Sequence, residues 1–389
     1  MPQRKGTVLE IMEMERCRVR IINLRVVMML VANGDPDLLI ALTAMLDVLA
    51  EECDARLREM RQWWSPQAPP ASPGRSAESF TDDELRGSVR FGRDAIGVLL
   101  GLLGIPNVLR SASGRRFDGE EAFLLLLRRL GGRERLLDLA QVFGRPPPAI
   151  SEMYNVVLDH VFQHVRHALR LEIWEEHLTA FSQVLRERGC PEGHCFGFVD
   201  GTMFTICRPT VGQEAMYNGW KRQHKVKYQC VVLPNFMIGD WFGPAPGRAH
   251  DSQVLANSNV VDRLRYIRDR VGEPLCLYGD PAYPVSEVLL RAPKGRMTRE
   301  MEEYATLMSH FRESVEWVFG KMGELWPFVT DVRRKATGSR ATSKEDCVAA
   351  LLTNYHTCRY GGVANRYFDT LPPSMVEYRA MYSLSSSQN

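Results

Sequence analysis

Two short runs decide how this chain folds: HCFGFVD at 194–200 and LCLYGD at 275–280. Each is apolar and aromatic, each is bounded by Gly, Pro or Asp, and each ends on an aspartate. That pattern reads as a strand closed by a turn. A carboxylate at the carboxyl end of a strand reaches out of the core into the crevice above an α/β sheet. TMFTIC (202–207) and KVKYQCVVL (225–233) read as further strands. The runs 257–269, 298–322 and 343–360 carry helical spacing between or after them. Strands mixed with helices in this way predict a mixed α/β sheet flanked by helices.

The chain before residue 190 has a different texture. Residues 36–62 read as an amphipathic helix, with Leu38, Leu39, Leu42, Leu46 and Leu49 at near-helical spacing. QAPPASPGRSAES (67–79) reads as a linker. Residues 81–169 read as all helical. Thr81 and Glu84 have capping-box spacing, Gly131–Gly132 and Gly144 end apolar helical runs, and Pro146–Pro148 precede another. A short helix, a Gly-containing turn and a longer helix make a helix-turn-helix pattern. The expected division is therefore a helical region over 1–64, a linker over 65–80, a helix-turn-helix-like domain over 81–185, an α/β domain over 190–365 and a tail over 366–389. SLSSSQN at the end is expected to be disordered.

Composition narrows the function classes. Among 389 residues, 49 basic and 47 acidic side chains leave a formal charge of +2. Nucleic-acid affinity would thus have to come from local patches. Nine scattered cysteines argue against a secreted disulfide framework. Cys190, His194 and Cys195 lack further ligands at zinc spacing. The apolar stretch IINLRVVMMLVAN (21–33) is broken by Arg25 and falls short of the ~20 residues needed to span a bilayer. The expectation is a soluble intracellular protein without membrane association.

Asp200 and Asp280 close the two decisive strands, and Glu316 lies on the helix reading FRESVEWVFG. Phosphodiester hydrolysis needs an activated water and a stabilised leaving oxygen. Two divalent ions held by carboxylates provide both, and Mg²⁺ prefers hard oxygen ligands. Taken singly, each acid has a plainer reading: a turn residue or helix cap for the aspartates, an exposed helix charge for Glu316.

The flanking residues add weight. FVDGT, YNGWKRQHKVKYQCVVLPN, GPAPGRAHDS, LYGDPAYP and MSHFRESVEWVFGKMGELWPF follow in order. Over about residues 190–360 this set resembles the PIF/Harbinger family of DDE transposases and their domesticated nuclease derivatives. The preceding helix-turn-helix segment is similar to the helical region found before the nuclease domain in that family. The resemblance implies an RNase H-like fold and a metal-dependent DNA endonuclease or transposase. Asp200, Asp280 and Glu316 would hold Mg²⁺ or Mn²⁺, as two ions, and strand transfer would use a freed 3′-OH. Asp251, in the GxxHD motif, competes for the second-acid role; its other reading is a cap for the helix near Ser252. Ala282 stands where the family motif often has Gly, which puts the turn geometry in question. Arg312 would orient Glu316 or contact a phosphate, or form a plain intrahelical ion pair. A separate Myb-like DNA-binding partner, a homo-oligomer and a nuclear location are further expectations. A domesticated, non-catalytic DNA-binding or interaction protein is the alternative.

Two regions are candidates for DNA contact. Lys221, Arg222, Lys225 and Lys227, with Tyr217, Trp220 and Tyr228 interleaved, would hold phosphates and stack on a base; the other reading is a solvated hairpin packed on the sheet. The helix from about Pro148 through His160 would present Ser151, Glu152 and Asn155 to a groove. Arg128, Arg129, Arg133, Arg135 and Arg145 would supply positive charge around it. A helical bundle supporting the α/β domain is the alternative there.

Overall fold

The computed structural model describes residues 75–335, 342–362 and 367–384. The helix expected over 36–62, the linker before residue 75 and the last five residues lie outside the described residues.

The helical segment starts where the capping-box spacing puts it. The Thr81 hydroxyl accepts from the Glu84 N–H at 3.2 Å, and the Thr81 N–H donates to the Glu84 carboxylate at 2.8 Å, opening the helix Asp82–Val89. Such a cap contributes about 1 kcal/mol. The helices Arg93–Leu102, Gly119–Gly131, Leu136–Phe143, Pro147–Ala168 and Leu178–Glu187 follow. Gly144 adopts φ 63° and stops Leu136–Phe143, and the prolines sit in the first turn of the next helix. The Gly119–Gly131 helix is buried nearly all round, with Leu124 to Leu127 inaccessible to solvent, as expected of a helix at the centre of a bundle.

This segment is not all helical. Strands β1 (Val108–Arg110) and β2 (Arg116–Asp118) form an antiparallel hairpin. Leu109 and Phe117 point inward between exposed or half-buried neighbours, and Gly114 supplies the positive φ of the turn. Three-residue strands are too short for alternation to be read from sequence.

The main sheet contains β3 (Cys195–Thr205), β4 (Tyr217–Asn218), β5 (Gln223–Val232), β6 (Ile238–Pro246), β7 (Cys276–Gly279) and β8 (Leu289–Arg291). The path runs β4-β5-β3-β7-β8, and β6 also pairs with β5. β3, β5 and β6 are antiparallel, while β3, β7 and β8 run parallel. The sheet is thus mixed and flanked by helices. HCFGFVD and TMFTIC are one continuous strand, so Asp200 lies midway along β3 and not at the strand end its run suggested, because the pairing with β5 continues through Thr205. β6 escaped the sequence reading because it carries Gly and Pro, which ordinarily argue against strand. Gly243 is required there: it adopts φ 139°, and a Cβ would lie 2.6 Å from the Tyr228 ring.

The helical run around 257–269 is two helices, Asp251–Ser258 and Val260–Val271, broken at Asn259 with φ 52°. The helices Arg299–Leu325 and Thr342–Tyr360 lie near their expected positions. The C-terminal segment differs from the expected tail. It contains the helix Met375–Leu384, whose Tyr378 and Tyr382 are buried. One hydrophobic core spans both halves of the chain, from Leu125 and Tyr154 through Trp174 to Phe198 and Tyr355. Among the described residues, no helix is long and apolar enough to cross a membrane.

The Thr342–Tyr360 helix ties the halves together with buried charge. Tyr154 of the Pro147–Ala168 helix donates its hydroxyl to Glu345 at 2.9 Å. On the sheet side, Asp346 pairs with Lys335 and accepts the Tyr228 hydroxyl at 2.9 Å. Burial pushes both carboxyls upward, while Lys335 and the Tyr228 hydroxyl pull Asp346 back.

Candidate functional site

Parallel pairing brings the first two acids together. Val199 on β3 is in register with Gly279 on β7, so Asp200 and Asp280 are the next residues along two adjacent strands. Neighbouring strands lie about 4.8 Å apart. The turn after β7 fixes Asp280: its carboxylate accepts the Ala282 N–H at 2.7 Å, and its carbonyl accepts the Tyr283 N–H at 3.0 Å. This is the side-chain-closed turn that aspartate favours. Ala282 is absent from the positive-φ residues, so the position often held by Gly accepts Ala without strain. Gly279 is the residue the turn requires, because a Cβ would lie 2.9 Å from both the Tyr283 ring and Val199.

Asp200 is held from two sides. The Gly201 N–H donates to Oδ1 at 2.7 Å, and the Arg312 guanidinium donates to Oδ2 at 2.5 Å. Burial raises the Asp200 carboxyl from 3.8 to about 6 against the pull of Arg312 and the Gly201 N–H, and the charges of Asp280 and Asp251 push the same way. Tyr283 is buried, and burial followed by the charges of Asp251, Asp200 and Asp280 pushes its hydroxyl up. Asp200, Asp251 and Asp280 therefore form one electrostatic neighbourhood around this ring.

Asp251 does not cap its helix. It is the first residue of Asp251–Ser258, with His250 in the cap position. Its carboxylate instead accepts from Lys227 Nζ at 2.8 Å. A Cβ on Gly201 would come within 3.3 Å of Asp251 Oδ1, which sets Asp251 beside the Asp200 backbone.

Glu316 is exposed on the Arg299–Leu325 helix, one turn after Arg312. Arg312 closes on Asp200, 112 residues away, instead of forming an intrahelical pair with Glu316. Among the described residues, no three His, Cys, Asp or Glu side chains come close enough together to hold a metal ion. The chemistry of the donors nevertheless suits one: Asp200 and Asp280 are adjacent hard-oxygen donors, and the Asp200 carboxyl is raised first by burial and then, in smaller part, by the charges of Asp280 and Asp251.

The basic run after β4 divides in two. Lys221 and Arg222 are exposed beside Trp220, which is 86% exposed. Lys225 and Lys227 are buried, contrary to the expected surface patch. Lys225 Nζ donates to the Thr205 hydroxyl at 2.9 Å, and Lys227 Nζ to the Ala249 carbonyl at 2.7 Å and to Asp251. Their stems lie within β5, where a buried ammonium must find internal acceptors. Tyr228 is likewise a core residue.

The helix-turn-helix candidate is also engaged internally. Helices Leu136–Phe143 and Pro147–Ala168 do flank a short turn at Gly144–Pro146. Glu152, however, accepts from Ser113 at 2.5 Å and pairs with Arg115 of the β1–β2 hairpin, and Asp159 pairs with Lys344. The surrounding arginines are largely committed. Arg128 pairs with Glu134, Arg135 with Asp138 and Arg145 with Glu121, while Arg129 is buried over the Tyr154 ring. Apart from Arg135–Asp138, which are three residues apart, these partners were not legible as pairs from spacing alone.

Residues 199–354 match the family model of the DDE superfamily endonuclease. The match begins at the strand carrying Asp200 and ends in the Thr342–Tyr360 helix, so it contains Asp200, Asp251, Asp280, Arg312 and Glu316. It covers less than half of the 389 residues. This segment is similar to nuclease and transposase domains, whose chemistry implies DNA as substrate and divalent metal as cofactor. No curated protein and no solved structure matches the chain.

Proposed function

We propose that the chain is a metal-dependent DNA endonuclease of the DDE transposase type, with an RNase H-like catalytic domain. One observation carries the reading: the parallel β3–β7 register sets Asp200, midway along β3, beside Asp280, just past the end of β7, inside the segment that matches the endonuclease family. Asp200, Asp280 and Glu316 are the proposed ligands for two Mg²⁺ or Mn²⁺ ions. Divalent ions held there would supply water activation and stabilisation of the leaving oxygen. Glu316 stands about 6 Å along the helix axis from Arg312, whose guanidinium already touches Asp200.

The chain's own residues set the site. Ala282 and Tyr283 N–H groups aim Asp280, Gly201 N–H aims Asp200, and Lys227 neutralises Asp251. Asp251 is assigned the supporting role, because it lies outside the β3–β7 register that pairs Asp200 with Asp280 and its carboxylate is held by a lysine fixed within β5. Lys221 and Arg222 are the proposed backbone contacts to DNA. Harbinger-type transposition with a Myb-like partner, a homo-oligomeric state and action in the nucleus belong to the same proposal. A domesticated, non-catalytic DNA-binding role is the second reading; the exposed Glu316, not gathered with the aspartates, favours it.

Nicking of supercoiled DNA with Mn²⁺, with an EDTA control and the Glu316→Ala chain alongside, separates them. Cleavage that needs both metal and Glu316 supports the endonuclease. A folded chain that binds DNA without cutting it under any of these conditions supports the second reading.

A further inference from the structure

The ion pair between Arg312 and Asp200 sits where a cation is needed. Both side chains are only 19% exposed and their atoms are 2.5 Å apart. The other Asp200 oxygen accepts the Gly201 N–H, so both carboxylate oxygens are engaged. The charges of three acids reach this neighbourhood. Asp251 has its own cation in Lys227, Asp280 is met by a turn N–H, and Arg312 answers Asp200. The two strands and the turn are held by backbone pairing, whereas the guanidinium reaches Asp200 from a separate helix and is held there by the ion pair itself.

We propose that Arg312 is a placeholder cation: it neutralises Asp200 in the metal-free chain and is displaced when a divalent ion binds there. This rests on the reading of Asp200 as a metal ligand. Coulombic repulsion drives the displacement. A guanidinium about 4 Å from a divalent ion meets twice the repulsion of a unit-charge pair, in surroundings that screen less than water. The two cations therefore compete for one carboxylate. The released guanidinium, still tethered one turn from Glu316, becomes a planar donor suited to a phosphate. Arg312 is thus a positioning residue that sets metal affinity and couples metal binding to phosphate contact.

The sign of this effect distinguishes it from ordinary support of a metal ligand. Support predicts that removing Arg312 weakens metal binding; competition predicts that removal tightens it. Mn²⁺ binding to the metal-free full chain, followed by calorimetry at neutral pH, reads the difference. Arg312→Gln is expected to tighten binding about tenfold or more, the scale of a shielded ion pair, while Arg312→Lys stays near the parent. Equal or weaker binding by Arg312→Gln overturns the placeholder. A second measurement needs no neutral variant: the Arg312 Nε–H resonance, identified by its loss in Arg312→Lys, should shift at saturating Mg²⁺, and an unmoved signal overturns the proposal. If Asp200→Asn binds Mn²⁺ as tightly as the parent, the metal site at Asp200 fails and the placeholder with it. Binding that needs Asp200 but is not tightened by Arg312→Gln sinks the placeholder alone.

Discussion

Two acidic clusters in this molecule look alike by composition and differ in how they are satisfied. In the interior, Asp346 is fully buried between Lys335 and the Tyr228 hydroxyl, and Glu345 takes the Tyr154 hydroxyl. On the adjacent strands β3 and β7, Asp200 and Asp280 lie side by side and partly open to solvent, with Asp251 close by. The interior acids are matched by partners the fold supplies, and they fasten the helical half to the sheet. The acids at β3 and β7 act on one another, and the fold answers Asp200 with a guanidinium from a separate helix. The cluster matched from within is architecture, whereas the partly exposed one is the proposed place for a cation from outside.

The comparison breaks most visibly through stability. Lys335→Met leaves Asp346 buried without its cation and should cost about 3–5 kcal/mol in denaturant unfolding. A loss below 1 kcal/mol would show that the interior pair is not structural. Next in size is the choice of second acid. Asp280→Asn should lower metal-dependent nicking on the order of a thousandfold, and Asp251→Asn by roughly ten- to a hundredfold, as for a supporting residue. Full activity in Asp280→Asn with loss in Asp251→Asn would exchange the two roles.

Smaller effects sharpen the picture. Asp200 must be ionised to hold a cation, and its carboxyl is raised to about 6. At subsaturating Mn²⁺ the nicking rate should fall about tenfold per pH unit below about 6 and level off above it, with saturating metal moving the break to lower pH. The sign for stability is the reverse: a raised carboxyl stabilises the metal-free fold below 3.8, and that contribution is lost as pH rises through about 6. A pH-independent rate between 4 and 7 would contradict this assignment. Smallest is the exposed basic pair. Charge reversal at Lys221 and Arg222 should flatten the salt dependence of DNA binding by about two units of slope; an unchanged slope removes them from the DNA path.

Local pattern reached some of the fold: LCLYGD closes on Asp280 where β7 ends, and Thr81 with Glu84 marked a helix start to the residue. HCFGFVD suggested an end at Asp200, but the strand runs on to Thr205 because β5 continues to pair with it. Local pattern could not show what depends on distant partners. Arg312 meets Asp200 across 112 residues, where spacing suggested Glu316. Lys225 and Lys227 sit in a basic run that reads as surface, yet β5 is central and buries them. The β1–β2 hairpin and β8 are too short for a period to emerge, and Gly243–Pro244 disguises β6. The Met375–Leu384 helix is held by Tyr378 and Tyr382 packing into a core assembled from both halves of the chain, so its neighbours in sequence say little about its burial.

The most direct test of the central claim follows nicking and thermal unfolding together in the Asp200→Asn chain. The account predicts a folded protein in which Mn²⁺-dependent cleavage is abolished. Cleavage at the parent rate in a folded Asp200→Asn chain would contradict it.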